Sequence, residues 1–132
     1  MSLFRSVNVS ATGLSTQRTR MDVIADNIAN AETTRTAEGG PYRRLRVLVS
    51  AADGPDGGVQ LMGVAPDETP FKRVYDPSHP DANAEGYVDL PNVDIATEMV
   101  DMMTASRAYE ANLAVADAAR NMWAGALEIM RG

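Results

Sequence analysis

Catalysis and metal binding both need converging titratable groups, and this 132-residue chain holds few that could converge. Its one histidine, His79, stands between Ser78 and Pro80, and there is no cysteine. A general base or a metal ligand works with partners, and no histidine or cysteine cluster exists to supply them. His79 therefore reads as a structural or solvent-facing residue. Asp53, Asp56, Asp67 and Glu68 are scattered without the spacing of a calcium loop. Gly39-Gly40 and Gly57-Gly58 lack the lysine and hydroxyl of a phosphate-binding loop and read as turns. Without cysteine, neither a disulfide framework nor a thiolate zinc site can form. The residue pattern implies no enzyme, no cofactor, no metal and no small-molecule substrate.

The chain's strongest signal is helical. From Ile95 to Met130 a 4-3-4-3 spacing runs through Ile95, Met99, Met102, Ser106, Tyr109, Leu113, Ala116, Arg120, Trp123, Leu127 and Met130. Its average of about 3.5 residues is the period of a coiled-coil seam. The opposite side of the same helix is also apolar or small, at Ala108, Ala111, Val115, Ala118, Met122, Gly125 and Ile129. A helix apolar on two sides needs two sets of neighbours, more than so short a chain supplies. The first stripe is expected to pair within the chain and the second to meet other subunits, the exchange of the two roles being the alternative.

A second long helix is expected from about Ser2 to Ala31, where Val7, Ala11, Leu14, Arg18, Met21, Ala25 and Ile28 repeat the alternation. Gly13, inside it, costs about 1 kcal/mol against alanine and suggests close approach of a neighbouring backbone. Thr33, Thr34 and Thr36 disfavour its continuation, and Gly39-Gly40-Pro41 forbids it. The period then falls to two over Leu45, Val47 and Val49, which reads as a half-buried strand. After the turn Asp53–Gly58, a partner strand is expected at Val59–Met62 and a short third at Phe71–Tyr75. Asp76–Pro91 carries three prolines and Gly86 and reads as an extended, ordered loop anchored by Tyr75, Tyr87, Val88 and Leu90. Asn92 or Asp94 caps the last helix. The expected fold is mainly α: an N-terminal helix (1–32) and a C-terminal helix (92–132) pair as an antiparallel coiled coil, forming one inner domain. Between them lies a small β-hairpin and loop module (33–91).

Arg18 and Arg120 each interrupt an otherwise apolar or small stripe. Either their stems lie along the seam with the heads in water, or each pairs with a carboxylate or carbonyl of another subunit and fixes register.

The net charge of −6 disfavours nucleic acid and acidic membrane surfaces as partners. It is uneven: residues 1–50 hold 7 basic and 4 acidic groups, and residues 51–91 hold 2 and 8. The N-terminus MSLFRSVNVS lacks the apolar core of a secretory signal, and no segment approaches a membrane span. These rules alone place the protein in the cytoplasm.

Two short segments change that reading. Asn27–Thr34 (NIANAETT) resembles the N-terminal signature of bacterial flagellar rod and hook proteins, and Ala105–Leu113 (ASRAYEANL) resembles their C-terminal signature. Gly39–Arg44 (GGPYRR) and Val74–Met99 are similar to the proximal rod proteins of the flagellar basal body. The resemblance covers nearly the whole chain and is weakest across Ala51–Pro70. It implies terminal helices forming a coiled-coil inner domain around the rod's central channel, with the middle segment outside. It also implies export by the flagellar type III apparatus without a cleaved signal peptide, and a final place in the periplasm-spanning basal body. The implied partners are other rod subunits, copies of itself, and basal-body ring and export-gate proteins.

Two rivals compete with this reading, a cytoplasmic type III export chaperone and another proximal rod protein. A chaperone should run on gel filtration as a defined dimer with its client, and the β module and the Tyr87–Pro91 segment have no purpose there. The register role of Arg120 is testable: Arg120→Leu should permit mis-registered assemblies, visible by electron microscopy. Ordered assembly of that variant at wild-type geometry refutes it.

Overall fold

The computed structural model describes residues 2–132; Met1, the first residue of the expected N-terminal segment, lies outside them. Two helices hold about half the chain, α1 (Leu3–Ala29) and α2 (Ile95–Arg131). Helix α1 ends at Asn30, whose side-chain amide turns back to donate to the Asp26 carbonyl at 2.9 Å. Helix α2 starts at its cap Asp94, whose carboxylate accepts from the Ala96 N–H at 3.1 Å and from the Thr97 hydroxyl at 3.0 Å. These bonds, that of Thr97 first, hold the Asp94 carboxyl below the usual carboxylate range. Glu98 in the first turn and Arg131 in the last suit the helix dipole.

Between the helices lie two antiparallel hairpins. Strand β1 (Leu45–Ala51) pairs with β2 (Val59–Pro66), and β3 (Lys72–Tyr75) with β4 (Tyr87–Leu90). Leu48 faces Gly63 and Val49 faces Leu61, so Met62 is the extra residue of a bulge. Strand β2 runs four residues past the expected Met62, and β3 begins one residue after the expected Phe71. Strand β4 is a correction, because the sequence reading takes Asp76–Pro91 as a loop throughout. The turn before it explains why. Asn83 accepts through its side chain from the N–H groups of Glu85 (3.0 Å) and Tyr87 (2.9 Å). Gly86, at φ +86°, lies so close to Tyr75 that a Cβ there would fall 2.9 Å from its ring. The chain is thereby returned onto β3, with the Tyr75 and Tyr87 rings edge to face at 5.2 Å. Four residues between a glycine and Pro91 are too few to display an alternation.

The β1–β2 hairpin lies along α1. The Thr12 hydroxyl accepts from the Val59 N–H at 3.2 Å, and Arg5 Nε donates to the Asp56 carbonyl at 3.1 Å. The strongest link is polar. Asn27, only 1% exposed, accepts through Oδ1 from the Leu45 N–H and from the Tyr42 hydroxyl, both at 2.9 Å. Its Nδ2 donates to the Leu45 carbonyl at 2.8 Å and to Glu98 Oε2 at 3.2 Å. One amide thus joins α1, the first residue of β1 and the first turns of α2, with every donor and acceptor of its side chain in use. Glu98, fully buried, also takes the Arg44 Nε hydrogen bond. Arg44 Nη1 donates to Asp67 at 3.0 Å, and Nη2 lies 3.5 Å from Asp101. Burial opposes the Arg44 charge, but the bonds to Glu98 and Asp67 outweigh it and push its pKa up. Burial likewise raises the Tyr42 phenol, helped by Asp26 and Glu98. The Thr69 N–H and then the Arg44 guanidinium hold Asp67 low.

The helices run in opposite directions, since Phe4 stacks edge to face on Trp123 (4.9 Å), Gly13 faces Asn112, and Asn27 meets Glu98. At Gly13 the close neighbour is a side chain rather than the expected backbone: an added Cβ would lie 2.8 Å from Asn112 Nδ2. Among the described residues, Val23, Ile24, Val88, Val93, Ala105 and Ala119 form the buried hydrophobic core, beside buried Ser10, Thr16, Asn27 and Glu98.

Asn27→Leu would strand both backbone groups of Leu45 and the Tyr42 hydroxyl, and leave Glu98 with Arg44 alone. The expected loss is about 3 kcal/mol, read as a fall in the urea unfolding midpoint by circular dichroism. Glu98→Gln keeps one acceptor and should cost less. Stability of Asn27→Leu at the wild-type value would show that the amide is not the lock. Acid should act on the same architecture. Asp67, Asp76, Asp81, Asp89 and Asp94 are all held below the usual carboxylate range by hydrogen bonds, several from paired arginines. The folded state therefore binds their protons less readily than the unfolded chain. Their contribution is fully present above the ordinary aspartate value of about 3.9 and is lost as pH falls through the folded values. The thermal midpoint should drop below about pH 4, more gently in Asp67→Asn, and a midpoint insensitive to pH there contradicts the scheme.

Candidate assembly interface

The molecule exposes 8962 Å² of surface. A compact monomer of its 14.1 kDa mass exposes about 6,700 Å². The surplus, roughly 2,200 Å², is larger than the surface, about 800 Å², that each partner of a standard interface buries. Much of it is apolar and helical. On α2, Met99, Val100, Met103, Leu113, Val115, Met122, Trp123 and Leu127 are between 42% and 58% exposed, and Ile129 and Met130 exceed 80%.

The line where the two helices meet explains what is left over. Glu98, Ala105 and Ala119 are buried on α2, and Asn112 packs on Gly13. These four positions are seven residues apart, a heptad line of small and polar side chains. It runs one residue to the side of Met99, Ser106, Leu113 and Arg120. Of the first α2 stripe, Met102, Tyr109 and Ala116 are half-buried, while Met99, Leu113, Arg120, Trp123 and Leu127 are exposed. On α1, Val7, Leu14, Met21 and Ile28 are half-buried, and Ala11, Arg18 and Ala25 are exposed. The α1 line toward its neighbours instead carries Ser10, Thr16, Val23, Ile24 and Asn27, because α1 must meet both α2 and the β1–β2 hairpin. On the second α2 face, Ala111, Val115, Ala118, Met122 and Ile129 are exposed, and Ala108 and Gly125 half-buried. An added Cβ on Gly125 would meet nothing within 4 Å. Among the described residues neither Arg18 nor Arg120 makes an ion pair.

Among the described residues the remaining polar groups shape turns and ion pairs. His79 Nδ1 accepts from the Asp81 N–H at 3.0 Å, which shapes a turn. Asp81 in turn accepts from the Thr34 hydroxyl at 2.6 Å and pairs with Arg35. Among the described residues no group of three or more His, Cys, Asp or Glu could hold a metal ion. Nor, among the described residues, is any helix long and apolar enough to cross a membrane. Sequence reasoning missed the lock formed by Asn27, Tyr42, Arg44, Asn92 and Glu98. Asn92 takes the Arg44 N–H at 2.8 Å and donates to Thr69 Oγ1 at 2.8 Å. A search for apolar periodicity passes over such residues. The available signal was their place inside the quoted segments: Asn27 in NIANAETT, Tyr42 and Arg44 in GGPYRR, and Asn92 and Glu98 in Val74–Met99.

Comparison with known proteins falls on these same pieces. Residues 7–35 match the family model of flagella basal body rod proteins. Residues 84–129 match that of the flagellar basal body rod FlgEFG protein C-terminal region. The two matches take in most of α1, the turn after it, β4 and nearly all of α2. Over the full length of both chains, the protein is 44% identical to the flagellar basal-body rod protein FlgC of Borreliella burgdorferi. It is 43% identical to FlgC of Bacillus subtilis, across 98% of this chain and 99% of that one. For FlgC of Salmonella typhimurium the identity is 41%, across 92% and 93%. With likeness of that extent spanning both helices and the hairpins they enclose, the chain belongs to the FlgC family of flagellar basal-body rod proteins.

Proposed function

We propose that this structural subunit of the flagellar basal-body rod polymerises through its terminal helices, which join neighbouring helices as a coiled-coil inner layer. The helices 1–32 and 92–132 act as one inner unit, and the 33–91 module lies outside it. The observation that carries this reading is the surplus apolar surface on α2, which the chain itself does not cover. Burying a Val, Met or Ile side chain contributes about 1.5–3 kcal/mol. Val115, Met122 and Ile129 on one face therefore supply several kcal/mol per subunit toward assembly, before ordering entropy is subtracted. Ala108, Ala111, Ala118 and Gly125 between them permit close helix approach.

The subunit is made in the cytoplasm and passes unfolded through the growing channel by the flagellar type III route, without a cleaved signal peptide. The absence of cysteine and the small core support this, since little must be undone for threading and no disulfide can obstruct it. Its neighbours are other rod subunits and copies of itself, with ring and export-gate proteins at the base. Family membership weighs against an export chaperone.

Met122→Glu tests the reading. Met122 is 58% exposed, so the purified monomer should keep its helix content and unfold within about 0.5 kcal/mol of wild type. Placed in a strain lacking the native gene, the variant should fail to restore motility, and isolated basal bodies should lack a complete rod. Full motility from Met122→Glu and from Val115→Glu would show that this face meets no neighbour.

A further inference from the structure

Strand β1 is tied to α1 at its first residue and keeps a free edge beyond it. Leu45 gives both backbone groups to Asn27, while the neighbouring Arg44 carbonyl accepts from the Asp67 N–H on the β2 side at 2.8 Å. The backbone groups of Leu45 therefore point away from β2. Pairing alternates along an antiparallel strand, and the extra residue of the bulge lies on β2, so Val47, Val49 and Ala51 point the same way. Asn27 covers only the first of these four positions. Among the described residues no group outside the hairpin bonds to the backbone of Val47 or Val49. Beside them opens a cleft of about 360 Å³, between Gln17, Arg20 and Ile24 of α1 and Arg46, Val47 and Val49 of β1.

We propose that this edge of β1 takes a third strand, an extended segment of another protein that alternates apolar residues with carboxylates. The edge selects an extended occupant. A strand pairs at about 4.8 Å from its neighbour, whereas a helix with its side chains is about 10 Å across, too wide for a cleft of this volume. The other edge of the hairpin is blunted, because β2 carries the bulge at Met62 and ends in Pro66. Strand β1 has neither device. A two-stranded hairpin is marginal alone, and its apolar side chains lack cover: Val49 is 52%, Val64 45% and Leu61 41% exposed. Charge selects the sign. The carboxylates that line the cleft, Glu98 and Asp101, are engaged by Arg44. Arg20 and Arg46 are exposed and make no ion pair among the described residues. The cleft thus offers two guanidiniums to an incoming carboxylate. The same charges oppose a second copy as the occupant, because β1 laid against β1 would add a further Arg46 to these two. In the opposite wall the Gln17 side-chain carbonyl is buried without a donor. A small rotation turns it toward the N–H groups on the far edge of the incoming strand. Main-chain bonds then supply the affinity and the arginines the selectivity. The inference is independent of which helix face polymerises.

The probes are two short end-blocked peptides, one alternating valine with glutamate and one alternating valine with lysine, titrated into the isotope-labelled full chain and followed by NMR. The glutamate peptide should shift the amide resonances of Val47, Val49 and Ala51 and bind about tenfold more tightly than the lysine peptide. Arg20→Glu combined with Arg46→Glu should reverse that order. Val49→Pro removes an edge N–H that the β1–β2 ladder does not use, so it should keep the hairpin and lose the peptide. A glutamate peptide N-methylated throughout should fail to bind the unaltered chain. The proposal is overturned if millimolar glutamate peptide leaves these amides unmoved, or if the two peptides bind alike. Undiminished binding of the N-methylated peptide, or a preference unchanged by the arginine substitutions, would also overturn it. Movement of the same amides on concentrating the chain alone would replace the proposed occupant with a second copy.

Discussion

The side-chain amide of Asn27 is the constraint on which the rest of this molecule depends. It pairs with both backbone groups of Leu45 much as a neighbouring strand would, while its second donor reaches Glu98. A helix, a strand and a second helix that are far apart in sequence are thereby brought to one buried point. Without it the first residue of β1 would face α1 with an unpaired N–H and carbonyl, which is costly away from water. Arg44 then closes the arrangement by neutralising Glu98 from the strand side and carrying the chain on to Asp67. Such a cluster adds modest net stability, because desolvation offsets most of the attraction. Its effect is to specify: few other packings satisfy an amide, a carboxylate and a guanidinium together.

That choice of lock leaves the apolar side chains free for another use. In an ordinary domain the large hydrophobic residues of two long helices would face each other. Here the heptad line between the helices holds Glu98, Ala105, Asn112 and Ala119, with Gly13 against Asn112 and Asn27 against Glu98. Small side chains bring the helices close, and the larger Met, Val, Leu and Ile residues remain on the flanks. The same division accounts for the small buried core and for a surface about a third larger than a compact monomer's. So few buried apolar groups give the isolated subunit a small core, which suits the proposed burial of the remainder against neighbours.

The sequence displayed the helices and hid the locks, for a physical reason. Helix α2 has a sustained period, so its existence was legible, and its start was narrowed to Asn92 or Asp94, of which Asp94 is the cap. Its rotation was not legible: two stripes of similar apolarity lie on it, and periodicity cannot say which one the chain keeps for itself. The choice is made by Asn27 and Glu98, polar residues that an apolar pattern counts as surface. Strand β4 was hidden differently. It exists because Asn83 and Gly86 turn the chain back on β3, and its four residues sit among the prolines that made the region read as a loop. The candidate surface was legible as a composition of α2, with Val115, Met122 and Ile129 exposed together, but its extent required the fold.

The lock also sets a gradient along the helix pair. At the Asn27–Glu98 end, α1, α2 and β1 are tied by several buried hydrogen bonds, and two hairpins pack nearby. At the Phe4–Trp123 end the helices meet through that aromatic pair and the buried Ala119, with no buried polar network among the described residues. Local opening costs least where buried contacts are fewest, so the free subunit should fray from Leu3 and Arg131 inward and hold at Asn27. A neighbour that covers the frayed end gains apolar burial and contributes order where the subunit lacks it. Rigidity at one end and unsatisfied apolar surface at the other are two outcomes of one decision, to join the helices by polar groups at a single end.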